Sequence, residues 1–199
     1  MKIATIGSGN MGGTLGRRWA AVGHRVTFGS REPNSEKMRL LLQASGPQAE
    51  AATIREAVER SDVILLAVMA EDIERALSEA GDLKGKLLIN CTICFDGTSA
   101  DAKVRSLVRD ARVVRAFHNF TWEVLANPCY EGGRAAAFLS GDDPEAVAVV
   151  ASLATDIGLD AIDVGDPESM AKVEAAVGML WGVLGSRFGR EYSLGVLRR

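Results

Sequence analysis

A chain of 199 residues, 47% hydrophobic and 25% charged, has the make-up of an ordinary globular protein and is long enough to bury a sizeable core. That balance excludes a disordered, collagen-like or coiled-coil chain, and 23 basic against 26 acidic residues leave no footprint for nucleic acid. The longest unbroken apolar stretch, Val63 to Ala70, is too short to cross a bilayer, and the first residues run into a strand-like segment rather than a leader, so a cytoplasmic protein is expected.

Short apolar runs alternate with helical patterns along almost the whole chain. Lys2–Ile6 reads as a strand, Met11–Val22 as a helix and Arg25–Phe28 as a second strand. Helices follow at Glu36–Ala44, which Asn34 or Ser35 can cap, and at Ile54–Arg60. Val63–Val68 and Lys86–Asn90 are continuous apolar runs, as strands buried on both faces of a parallel sheet require. Between and after them come helices at Ile73–Ala80 and Ala100–Arg109, strands at Val113–Phe117, Ala135–Leu139 and Leu159–Val164, and a helix at Pro144–Ile157. Gly23 and Gly158 sit where helices should stop. This order implies an α/β chain folded as one doubly wound, mostly parallel sheet, a single domain over residues 1–199.

The end of the chain differs. Met170, Val173, Val177, Leu180, Trp181 and Leu184 recur at helical spacing, so a helix over about 168–188 should pack on the sheet, wall a pocket or meet another subunit. The stripe is broader than one sheet face needs, and a homodimer is expected.

Chemistry concentrates after the first strand, in Gly7-Ser8-Gly9-Asn10-Met11-Gly12. A lone G-x-G-x-x-G is weak, but here it follows a buried strand, opens a helix and precedes another strand. Gly7 permits the tight turn, Gly9 lets the backbone approach a pyrophosphate, and Gly12 and Gly16 let helix and sheet pack closely. The N–H groups at the helix start then meet phosphate charge. This is the Rossmann arrangement. Folds selective for NAD usually end the second strand with Asp or Glu; this chain has Phe28-Gly29-Ser30-Arg31. A hydroxyl beside a guanidinium suits a 2′-phosphate, so NADP is expected over NAD.

Ala67, Val68 and Met69 should lie across the carboxyl edge of the sheet and flank the ribose and nicotinamide. His118, beside Asn119, Phe120 and Trp122 at the end of another strand, is the best polar group for orienting a planar substrate, with Met69 and Phe120 as apolar walls. Cys91-Thr-Ile-Cys94 has CxxC spacing, but no second pair exists and its strand context differs from the helix start used by redox motifs; a structural role is expected and no metal.

Ile-Gly-Ser-Gly-Asn-Met-Gly, Gly-His-Arg-Val-Thr-Phe-Gly-Ser-Arg, Ala-Phe-His-Asn and Gly-Asp-Asp together resemble the coenzyme F420-dependent NADP oxidoreductases, whose fold also serves as the NADPH domain of membrane ferric reductases. The resemblance covers nearly the whole chain. It implies hydride transfer between NADPH and a deazaflavin (F420) or flavin-like small-molecule acceptor, without membrane or nucleic acid. It also implies that Ser8 to Met11 hold the pyrophosphate, that Ser30 and Arg31 take the 2′-phosphate, and that His118 approaches the acceptor. One departure is Met69-Ala70, where deazaflavin-using members often have Pro-Trp. Two other readings share the opening motif: a hydroxy-acid or imino-acid dehydrogenase with Lys172 as proton donor, and a non-catalytic NADP-sensing protein.

Overall fold

The computed structural model describes residues 1–94 and 100–197. The apolar runs pair into one eight-stranded sheet among the described residues. In chain order its first half comprises β1 (Lys2–Ile6), α1 (Asn10–Ala21), β2 (Arg25–Gly29), α2 (Glu36–Ser45), β3 (Ala49–Ala52), α3 (Ile54–Glu59), β4 (Val63–Leu66), α4 (Ile73–Ala80) and β5 (Leu87–Asn90). The second half comprises α5 (Ala100–Leu107), β6 (Arg112–Arg115), α6 (Trp122–Ala126), the hairpin of β7 (Cys129–Tyr130) and β8 (Gly133–Arg134), β9 (Ala136–Gly141), α7 (Pro144–Asp156), β10 (Asp160–Asp163) and α8 (Pro167–Phe188).

The strand order is β10-β9-β6-β5-β4-β1-β2-β3, with every pair parallel except β6 and β9. This is the doubly wound Rossmann-type sheet read from the sequence, and its order reverses between β1 and β4. Side chains alternate across it. Ile3, Val63 and Leu65 pack with Leu15, Trp19 and Leu153 on one face; Ala4, Ile64 and Leu66 pack with Ala57, Ile73 and Ala76 on the other. Fully buried Trp19 satisfies its indole by donating to the Leu153 carbonyl at 3.0 Å.

Three elements lie outside the sequence reading. β3 is Ala-Glu-Ala-Ala, with no β-branched residue to mark an edge strand. α6 is only five residues long and depends on Thr121, whose side chain accepts from the Val124 N–H. The β7–β8 hairpin has two residues a side. The strand read over Val113–Phe117 ends instead at Arg115, because Phe117 takes a left-handed backbone (φ 60°) and turns the chain out of the sheet.

α8 starts at Pro167 with Asp166 as its cap, the side chain accepting from the Ser169 N–H at 2.7 Å. Only Met170 and Val177 of its stripe are buried. Met179 and Val183 are 69% and 62% exposed, and Leu180 is exposed beside them.

Candidate functional site

The strand register builds the site. Ile6 pairs with Gly29 and with Leu66, Leu66 with Asn90, and Asn90 with Arg115. The residues that leave these strands, Gly7, Ser30, Ala67, Cys91 and Ala116, therefore emerge side by side at one carboxyl edge. A cavity of about 520 Å³ opens there, over the point where the strand order reverses. Its walls include Gly7, Ser8, Gly9, Asn10 and Met11, then Ser30 and Arg31, then Ala67, Val68 and Met69. Gly12 is absent from the wall because it lies beneath the loop, where an added Cβ would stand 1.9 Å from the Gly7 carbonyl oxygen. Gly7 itself has φ +101°, and a Cβ on it would stand 2.3 Å from the Ala67 carbonyl oxygen. These two contacts draw the loop tightly against β4.

The start of α1 is prepared for an anion. No side chain caps it and its first turn holds no acidic residue, so its leading N–H groups are left for a ligand. Gly9 faces open space, with no atom within 4 Å of the place a Cβ would take, which is the clearance a pyrophosphate needs. The residues present thus fit a dinucleotide.

Ser30, Arg31 and Lys37 line one end of the cavity. Ser35 caps α2 by accepting from the Met38 N–H, and Lys37 in that first turn lines the cavity together with Arg31. Of the neighbouring acids, Glu36 holds Arg39, while the backbone N–H of Glu32 donates to Ser30 Oγ at 3.1 Å. Arg31 and Lys37 have no ion-pair partner among the described residues, which leaves two cations and a hydroxyl for one anionic group.

The other end is apolar, walled by Met69, Cys91 and Ile93. Burial pushes the Cys91 thiol up to about 12, so it stays protonated and donates to the Phe117 carbonyl at 3.1 Å. Beyond this wall lies a polar network that joins β5 and β6 to α8. Buried Arg115 donates through Nε to Glu174 at 2.7 Å and through Nη1 to the carbonyls of Asn90 (3.1 Å) and Thr92 (2.5 Å).

His118 is buried beside that network, with neither ring nitrogen hydrogen-bonded to a described residue, and does not line the cavity. Its side chain is 4% exposed and its Nε2 lies 3.2 Å from the Glu174 oxygen already held by Arg115. Phe120, read as a wall, is buried in the core. The left-handed turn at Phe117 accounts for the difference, since it turns His118 into the interior. Burial first, and the Arg115 guanidinium second, hold His118 well below the ordinary imidazole value of 6.5. As pH falls through about 6.5 the unfolded chain gains a proton there that the folded chain refuses, so stability is full above that pH and declines below it. Thermal melts from about pH 7 to pH 5 should show a falling midpoint that flattens in His118→Gln; equal slopes would place the loss elsewhere.

Known proteins resemble this chain in sequence and fold. Residues 2–93 match the family described as NADP oxidoreductase, coenzyme F420-dependent. The chain is 29% identical over 204 residues to the F420-dependent NADP reductase of Methanothermobacter thermautotrophicus, a match covering 90% of this chain and 88% of that one. A solved structure from Arthrobacter sp. FB24, assigned to the F420-dependent NADP reductases, aligns over 100% of both chains with a TM-score of 0.85 and 26% identity. The chain is thus similar to the coenzyme F420-dependent NADP oxidoreductases, over residues 2–93 by the family description and over 90% of its length by the Methanothermobacter relative. It is also 29% identical over 181 residues to the metalloreductase STEAP3 of Rattus norvegicus, a match covering 87% of this chain but spanning only 36% of that protein.

The lysine considered for an imino-acid or hydroxy-acid dehydrogenase stands away from the cavity. Lys172 is 73% exposed and paired to Glu168. Residues the sequence does not single out line the cavity instead: Lys37, Ile54, Asp72, Arg75, Ala76, Glu79 and Ile93. Lys37 has a usable signal, two positions past a capping serine and six past Arg31.

Proposed function

We propose that the protein transfers hydride between NADPH and a deazaflavin (coenzyme F420) or flavin-like acceptor. The observation that carries this reading is the cavity itself. One wall joins the glycine loop, the unpaired cations Arg31 and Lys37, and an apolar end at Met69, Cys91 and Ile93. In this reading the α1 N-terminus and residues Ser8 to Met11 hold the pyrophosphate, while Ser30, Arg31 and Lys37 take the 2′-phosphate. Ala67, Val68 and Met69 then flank the ribose and nicotinamide at the ends of β4 and β5.

When bound, NADPH supplies the hydride, and a solvent proton completes reduction of the acceptor. The chain contributes placement: two rings held in contact need neither a nucleophile nor a metal. Met69 and Ile93 present exposed apolar surface at that end for a ring to cover. His118 is buried behind the cavity, and it is Arg115 that ties α8 to the end of β6 through Glu174. The kinship to an F420-dependent NADP reductase along 88% of its length supports the deazaflavin over other acceptors. The exposed face of α8 suits a second copy of the chain, and light scattering should read twice the chain mass.

Purified protein, mixed anaerobically with NADPH and with coenzyme F420, FMN, FAD, a quinone or a ferric chelate in turn, tests the reading. Loss of reduced-nicotinamide absorbance should be fastest with F420. Oxidation with none of the acceptors, despite NADPH binding, would make the protein a sensor instead.

A further inference from the structure

Arg115, the last residue of β6, is 3% exposed, a charged side chain buried where the sheet is otherwise apolar. Val113, on the same face of the same strand, completes the core with methyl groups. A buried ion pair rarely improves on such packing, because desolvation offsets the attraction. The bonding partners of the guanidinium give the reason for the charge.

Its Nη1 donates to the carbonyls of Asn90 and Thr92, the residues on either side of Cys91. Cys91 and Ile93 line the apolar end of the cavity, whereas Arg115 does not line it. One nitrogen thus gathers two carbonyls, two residues apart, where the chain leaves β5. The same segment is tied to the sheet: the Cys91 N–H donates to the Leu66 carbonyl at 3.0 Å, and the Thr92 N–H to Asn90 Oδ1 at 3.1 Å. Asn90 in turn donates to Asp101 of α5 at 3.2 Å. On the other side Arg115 Nε donates to Glu174, which joins the segment to α8.

We propose that Arg115 is a positioning residue for hydride transfer: it fixes residues 91–93, the wall against which the nicotinamide and acceptor rings are placed, and Glu174 couples that wall to α8. The inference rests on the hydride-transfer reading and deepens it. Lysine cannot substitute, since one ammonium cannot serve two carbonyls and a carboxylate from the separate edges of a planar fork. A displaced wall costs rate and leaves cofactor affinity nearly intact, because in that reading the phosphates are held at α1 and at the end of β2.

The test compares wild type, Arg115→Lys and Glu174→Ala in steady-state oxidation of NADPH by coenzyme F420. NADPH titration by fluorescence and amide hydrogen exchange accompany it. Arg115→Lys should lower kcat/KM for F420 about tenfold to a hundredfold, with the NADPH dissociation constant within about twofold of wild type. Glu174 is only partly buried, so Glu174→Ala should fold, and it should lose about threefold to tenfold by loosening the same wall. The amides of residues 91–93 should exchange about tenfold faster or more in both variants, with those of β1 unchanged. If Arg115→Lys does not fold, Glu174→Ala decides alone. Wild-type kcat/KM in either folded variant, an equal loss of NADPH affinity, or faster exchange spread over the whole sheet overturns the proposal. Failure of wild type to oxidise NADPH with any deazaflavin or flavin would instead overturn the hydride-transfer reading beneath it.

Discussion

Gly12→Ala should abolish NADP(H) binding and destabilise the fold together. The new Cβ would stand 1.9 Å from the Gly7 carbonyl oxygen, 3.1 Å from its carbonyl carbon and 3.2 Å from Ala67 Cβ. Neither neighbour can yield cheaply, because the first is backbone and Gly7 is already pinned against Ala67 at φ +101°. The loop must therefore lift away from β4. Overpacking of this kind costs about 1–3 kcal/mol in stability, and sometimes more. The lifted loop also carries its N–H groups away from the phosphates. Losing two charge-assisted hydrogen bonds, each worth about 1.5–3 kcal/mol, corresponds to a loss of roughly a hundredfold or more in affinity. Gly9→Ala is the informative partner. Nothing lies within 4 Å of its added Cβ, so it should melt like wild type and lose affinity only through contact with the ligand. Thermal melts and NADPH titrations of both variants check this; a Gly12→Ala protein that binds NADPH as wild type does would contradict it.

Much of this arrangement is legible in the sequence because it rests on local signals. The run Ile3–Ile6 ending in Gly7 demands a strand and a sharp turn, and β4 and β5 are apolar without interruption. Ser30 and Arg31 stand out because they replace the acid expected at that place. Other parts depend on contacts that no local pattern carries. Lys37 reads as one charge on a solvated helix until the Ser35 cap fixes which way that helix faces. Arg75 and Glu79 look like ordinary surface charges of α4, and only the fold brings them to the cavity wall. His118 shows the reverse case. Its place after a strand suggests the pocket, but one left-handed residue, Phe117, turns it inward, and a positive φ at phenylalanine has no signature in sequence. β3 is hidden because alanine and glutamate fit an edge strand only when β2 is already there to pair with it.

Arg31→Ala with Lys37→Ala should remove the preference for the phosphorylated cofactor. Both side chains line the same end of the cavity as Ser30, and neither has a competing carboxylate among the described residues. Each contributes about 1.5–3 kcal/mol if it bonds the 2′-phosphate directly, and the pair acts on one group, so the losses add incompletely. A drop in NADP(H) affinity of about a hundredfold to a thousandfold is expected. NAD(H), which carries a hydroxyl there, should change by no more than about threefold. Both positions lie at the surface, and the variant should melt close to wild type.

The most direct test of the account is the ratio of NADH to NADPH dissociation constants, measured by fluorescence titration of the wild-type protein and of the Arg31→Ala/Lys37→Ala variant under one buffer. The predicted ratio is at least about a hundred in wild type and within a few fold of unity in the variant, with the change arising almost wholly from NADPH. Equal affinities in the wild-type protein, or a ratio that survives the double substitution, would contradict the assignment of this cavity end to the 2′-phosphate.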